Sequence, residues 1–187
     1  MKIGIDISQI AYQNTGVAHY LGSLIENLLK IDKENEYVLF FASLRRNLKN
    51  QKSLRPELRA RAKIKNTNQK LKIKTFRLPP VFLDILWNKL HIVPIEWLIG
   101  DVDLFISSDW TQPPTKKAKK ATILYDLIVH KYPNETDSKI VETQKRRLNW
   151  VKKECDIVFC ISEATKKDAI DLLEIEEKRL HVLYPGV

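Results

Sequence analysis

The sequence predicts an α/β fold: a Rossmann-like parallel sheet flanked by helices, in a single domain. Three observations lead there. Short β-branched, apolar runs alternate with longer stretches of helical periodicity along all 187 residues. The connections that can be read are mostly short and polar, as in βα units. Polar residues gather directly after four of the apolar runs, and a parallel sheet with right-handed crossovers brings such ends to one edge, where ligands bind.

The first unit sets the pattern. Lys2 to Ile7 is a strand-like run, Ser8 to Thr15 a polar loop, and Gly16 opens a helix in which Val17, Leu21, Leu24, Ile25 and Leu28 recur at helical spacing. A loop feeding a helix start can hold an anion on free backbone N–H groups, but a single glycine also serves to permit a turn. Tyr37 to Ala42 reads as the second strand and Leu71 to Phe76, which alternates, as an edge strand. Pro79-Pro80 ends it. Val81 to Leu90 reads as a helix with Phe82, Leu83, Leu86, Trp87 and Leu90 on one face, and Ile92 to Ile99 as a second. Trp87 and Trp97 either pack those helices on the sheet or line a groove or membrane contact. Asp103 to Ser107, Ala121 to Tyr125, Ile157 to Ile161 and Leu180 to Tyr184 complete the strands. A basic helix over Ser138 to Lys153 turns Ile140, Val141, Leu148 and Val151 inward, and Ser162 is a natural N-cap for a last helix from about Ala164 to Leu173.

Composition narrows the function classes. Hydrophobic residues make up 44% of the chain and charged residues 29%, which suits a sizeable core in water. No apolar run reaches the ~18 residues of a membrane span. Asp6 interrupts the apolar start, so no cleavable leader is expected there. The expected location is the cytoplasm, with peripheral contact on the inner face of the membrane. Cys155 and Cys160 are read as unpaired core residues, and no Cys/His spacing suggests a metal site. The net charge of +9 is uneven: Arg45 to Arg77 holds thirteen Lys/Arg against the single Glu57, which leaves the remainder acidic. A basic, mobile insertion is expected at about 45–70. Such charge suits nucleic acid, anionic lipid or a phosphorylated acceptor. Few aromatics interleave with it, so nucleic acid is the least favoured partner.

The strand ends carry a recognisable pattern. Ile5-Asp6-Ile7-Ser8 with Thr15-Gly16-Val17-Ala18-His19-Tyr20 resembles the opening of family 4 glycosyltransferases of the GT-B fold. Asp101 to Phe105 leading to Ser108-Asp109-Trp110 and Pro113-Pro114 resembles the next landmark. Thr122 to Leu127 with Tyr132-Pro133, and Cys155-Asp156 to Asp168 with its Ile161-Ser162-Glu163-Ala164-Thr165 core, resemble two more. His181 to Val187 resembles the strand that closes the family's N-terminal domain. The similarity covers nearly the whole chain, with the motifs in family order.

That resemblance implies the acceptor-side half of a retaining glycosyltransferase, transferring a hexose from a nucleotide sugar to a cell-surface glycan or lipid-linked acceptor. The nucleotide-sugar donor would be held mainly by a C-terminal domain, which the sequence does not contain. A separate C-terminal half is therefore an expected partner, no metal or other cofactor is expected, and no transfer is expected without that half. The implied donor- and acceptor-binding residues are Thr15, Gly16, Val17, Ser108, Asp109, Trp110, Tyr125, Asp126, Ser162 and Glu163. Tyr125, Asp126 and Ser162 are the candidates nearest the chemistry. Read structurally, Ser162 caps a helix, Asp126 caps the following loop and Trp110 packs the rim. Three positions depart from the family: Tyr125 and Ile106 stand where histidine is usual, and His19 where arginine is common. The alternative function is a non-catalytic carbohydrate- or anionic-lipid-binding module.

Overall fold

A computed structural model describes residues 1–12, 15–44 and 71–186. The basic insertion expected at about 45–70 lies outside them. Seven parallel strands form one sheet in the order β3-β2-β1-β4-β5-β6-β7. The strands are β1 (Lys2–Asp6), β2 (Glu36–Ala42), β3 (Leu71–Phe76), β4 (Leu104–Ser107), β5 (Lys119–Leu124), β6 (Ile157–Cys160) and β7 (Leu180–Val182). This is the Rossmann-like α/β arrangement expected, and β3 is an edge strand as its alternation requires.

The principal helices are α1 (Gly16–Ile31), α2 (Pro80–Leu83, continued by a π-turn over Asp84–Lys89), α3 (Glu96–Ile99), α4 (Ile128–Lys131), α5 (Ser138–Glu154) and α6 (Glu163–Leu173). Three are capped by side chains the sequence supplies. Thr15 Oγ1 accepts the Ala18 amide at 3.2 Å, Asp137 Oδ1 the Lys139 amide at 2.9 Å, and Ser162 Oγ the Thr165 amide at 3.1 Å. Helix α1 covers one sheet face, packing Leu21 and Ile25 on Ile5, Leu39 and Phe41. On the other face Leu83 and Trp87 pack on Val38, Phe40 and Phe105, while Leu148, Val151 and Ala169 pack on Val158 and Cys160. Gly4 makes the first of these contacts close enough: a Cβ there would lie 2.8 Å from the Phe105 ring and 2.9 Å from Ile99 Cδ1.

Several local expectations need correcting. The helix after Pro79-Pro80 buries Leu83 and Trp87 but leaves Phe82 and Leu90 exposed. Its second half is a π-turn, with the Leu90 amide bonded to Ile85 O at 2.9 Å, so the face drifts from the α-helical register. The helix expected over Ile92 to Ile99 shrinks to α3. His91 and Val93 take positive φ values of 53° and 64°, which no right-handed helix tolerates. Trp87 is fully buried and donates its indole N–H to Val93 O at 3.0 Å, whereas Trp97 is 63% exposed beneath Lys116. The two tryptophans thus have opposite fates. Ile140 is exposed rather than inward. Both cysteines are free and buried, and burial pushes their thiols up, Cys155 to about 12 and Cys160 to about 11.

Candidate functional site

The strand order reverses between β1 and β4, the switch point where open α/β sheets bind ligands. Asp6 and Ser8 leave β1 there, Ser43 leaves β2, and Ser107 and Ser108 end β4. A cavity of about 40 Å³ lies at this point, lined among others by Asp6, Ser8, Gln9, Tyr12, Ser108, Trp110 and Thr111. That space admits water-sized groups such as a hydroxyl or hydroxymethyl arm, not a whole sugar ring.

Asp6 forms its floor. The carboxylate is 2% exposed, and Oδ1 accepts the Ser8 amide at 2.8 Å. Burial raises its pKa, and the Ser8 and Ser108 hydroxyls oppose that rise only in part. Ser8 Oγ also accepts the Ala42 amide at 2.9 Å, which ties the ends of β1 and β2 together.

The far wall is held by Arg147 of α5, a guanidinium 1% exposed. It donates to Ser108 O at 3.1 Å, Thr122 Oγ1 at 2.9 Å and Ile123 O at 3.3 Å, and reaches Asp109 Oδ1 at 3.5 Å. Thr122 Oγ1 lies 2.8 Å from Ser107 Oγ, which lies 2.5 Å from Gln112 Oε1. One buried cation therefore clamps the carboxyl ends of β4 and β5. Asp109 feels opposing influences: burial and the neighbouring Asp126 charge raise its pKa, Arg147 lowers it, and burial prevails.

The sequence-derived candidates lie on this edge but divide into groups. Ser108 and Trp110 line the cavity. Asp109 sits behind them on Arg147, with Asp126 near enough to interact. Asp126 is exposed, and its Oδ1 accepts the Ile128 amide at 3.1 Å, the capping role. Tyr125 turns away from the cavity and packs edge-on against Tyr20, ring centroids 5.5 Å apart. Burial pushes its hydroxyl well above the ordinary phenol range, so it stays protonated. Thr165 Oγ1 donates to Tyr125 O at 3.2 Å and lies 3.0 Å from Ser162 Oγ, linking β5 to the start of α6. Ser162 caps that helix and Glu163 is exposed in its first turn.

Thr15, Gly16 and Val17 open α1 on the same edge, and Thr15 Oγ1 reaches Tyr12 O at 3.0 Å. Gly16 has no positive φ, and nothing lies within 4 Å of where its Cβ would stand. No turn conformation requires a glycine there, and a small side chain would fit. Asp6, Gln9, Tyr12 and Thr111 are not among the binding candidates read from the sequence, although Asp6 belongs to the first family-like motif. Asp6 could have been, as an acidic residue at the end of an otherwise apolar run that only Lys2 opens with a charge. Among the described residues no group of three His, Cys, Asp or Glu is placed to hold a metal ion.

No protein-family model matches the chain. A search of curated proteins likewise returns no match.

Proposed function

We propose that these residues form the acceptor-side half of a retaining glycosyltransferase, which presents a glycan or lipid-linked acceptor to a hexose carried by a nucleotide sugar. The observation that carries the reading is convergence. The segments at Gly16, Asp109, Asp126 and Ser162, each similar to a family 4 landmark, end on one edge of the sheet, and the Asp109 segment reaches the switch-point cavity through Ser108 and Trp110. Trp110 lines the cavity and brings an indole that can stack on a sugar ring, and Asp6, Ser8 and Ser108 bring polar groups for a hydroxyl. The start of α1, whose first turn carries no acidic residue, suits a donor diphosphate arriving from a facing half. Tyr125, held protonated, can donate a hydrogen bond but cannot act as a base. Tyr125 therefore positions and does not itself abstract a proton.

Its departure from histidine at Tyr125 favours a second reading, a sugar-binding module without transfer. Both readings require acceptor binding. The test is titration of the isotope-labelled chain with a panel of glycosides and, separately, with nucleotide hexoses. Glycosides should shift the amides of Tyr12 and 108–111, and nucleotide hexoses alone should shift them weakly. Glycosides that leave this rim unmoved would overturn both readings. Transfer by this chain alone would overturn the half-site assignment.

A further inference from the structure

The outer side of α2 and its π-turn is unusually apolar for a water-facing surface. Val81 is 70% exposed, Phe82 47%, Ile85 44% and Leu90 55%. Val81 and Phe82 stand four and three residues before Ile85, and the Leu90 amide bonds Ile85 O, so the four make one continuous ridge. Their neighbours Leu83 and Trp87 anchor the helix in the core, which fixes the ridge outward.

Cations flank it. Lys89 ends the π-turn and is exposed. Lys72 and Lys74 of β3 pair in register with Val38 and Phe40, and those two side chains pack beneath Leu83 and Trp87. Register partners in a sheet share a face. The two exposed lysines therefore project on the side that α2 covers, along its flank. The helix's one carboxylate, Asp84, is neutralised by Arg146 at 2.8 Å and bonded to Asn88.

We propose that this ridge rests on an anionic lipid bilayer, with Val81, Phe82, Ile85 and Leu90 entering the interface and the lysines meeting headgroup phosphates. An amphipathic, lysine-flanked ridge is what an interfacial helix presents. Apolar residues this exposed, with cations beside them, match the apolar interior and anionic headgroups of a bilayer. Pro80 and Leu83 also line the switch-point cavity, so the ridge begins at its mouth. A bilayer held there would present a lipid-linked molecule beside the cavity. The contact itself does not depend on the sugar-transfer reading.

The test is flotation of the full chain with phosphatidylcholine vesicles, with and without phosphatidylglycerol. Binding should require phosphatidylglycerol and weaken with salt. The Phe82→Asp/Ile85→Asp double variant should partition about tenfold less or weaker, with its circular dichroism spectrum and unfolding midpoint retained because both sites are exposed. Lys72→Glu/Lys74→Glu should flatten the salt dependence. In a Trp-reporter variant, Phe82→Trp, emission should shift to the blue on anionic vesicles. Failure to float with anionic vesicles would overturn the proposal. So would flotation untouched by the helix double variant, which would assign binding to the basic residues at about 45–70.

Discussion

Replacing Arg147 by Ala would take a donor from the carbonyls of Ser108 and Ile123, leave Thr122 Oγ1 with only Ser107 Oγ, and leave Asp109 without its cation. A buried charge with that many partners is costly to break. Arg147→Ala should lower the unfolding free energy by about 3–5 kcal/mol in urea titration. A loss below about 1 kcal/mol would mean that water replaces the guanidinium there. Asp6 gives a pH-dependent prediction. Its folded pKa is raised above the ordinary 3.8, so the folded state holds the proton more tightly than the unfolded chain. The stability it contributes is complete below 3.8 and is lost as pH rises through the raised value. Asp109 shifts in the same direction, so only a variant isolates Asp6. Asp6→Asn should flatten the decline of stability with rising pH above that point, and an unchanged slope would reject a perturbed Asp6. Arg147 was within reach of the sequence. It lies three residues beyond Gln144 and four before Val151, on the stripe that holds Val141 and Leu148, all of them buried. Counting only apolar residues on that stripe hid it, because the partners that make its burial tolerable come from β4 and β5.

At the scale of elements, capping decides where the chain turns. Ser162 is both a sequence-derived site candidate and the N-cap of α6. Ser162→Ala should cost about 1 kcal/mol of stability through the cap alone. A loss of glycoside-induced shifts beyond that expected from the stability change would add a binding role. At the other end of α6, Glu174 sits in the left-handed region at φ 53° with an exposed pairing to Lys152. Glycine adopts that conformation without strain, so Glu174→Gly should raise stability by about 0.5–1 kcal/mol in the same titration. Strand positions were legible to within two residues because apolar β-branched runs bounded by turn residues admit few readings. The α2 region was not. Whether Val81 to Leu90 winds as α or π depends on Trp87 reaching Val93 O and on Asn88 bonding Trp110 O. These contacts involve a positive-φ loop and a strand end more than twenty residues away, and local periodicity carries no trace of them.

The whole sheet grades from a buried centre to thin margins, and that gradient is testable. β1 is paired on both sides, to β2 over five residues and to β4 over three, and its neighbours carry Phe40, Leu39 and Phe105 in the core. Among the described residues β3 has one partner, and its Lys72, Lys74 and Thr75 are exposed. β7 is three residues long and also has one partner. The sequence announced seven strands and an edge role for β3. It could not announce the order of the others, since parallel neighbours are chosen by crossovers and by packing such as Gly4 against Phe105. Opening free energies should follow burial and pairing rather than position in the chain. In native-state hydrogen exchange, the ladder amides of β1, β4 and β5 should exchange only through global unfolding, tracking its free energy in denaturant. Amides of β3 and β7 should exchange through local opening, insensitive to low denaturant. The switch-point rim is built on the ends of β1 and β4, so it should stay fixed while the margins open, giving a rigid half-cleft. Exchange at 105–107 as fast as at 72–75 would mean that the centre yields with the edge, and the cavity would then have no fixed floor on which to hold a ligand.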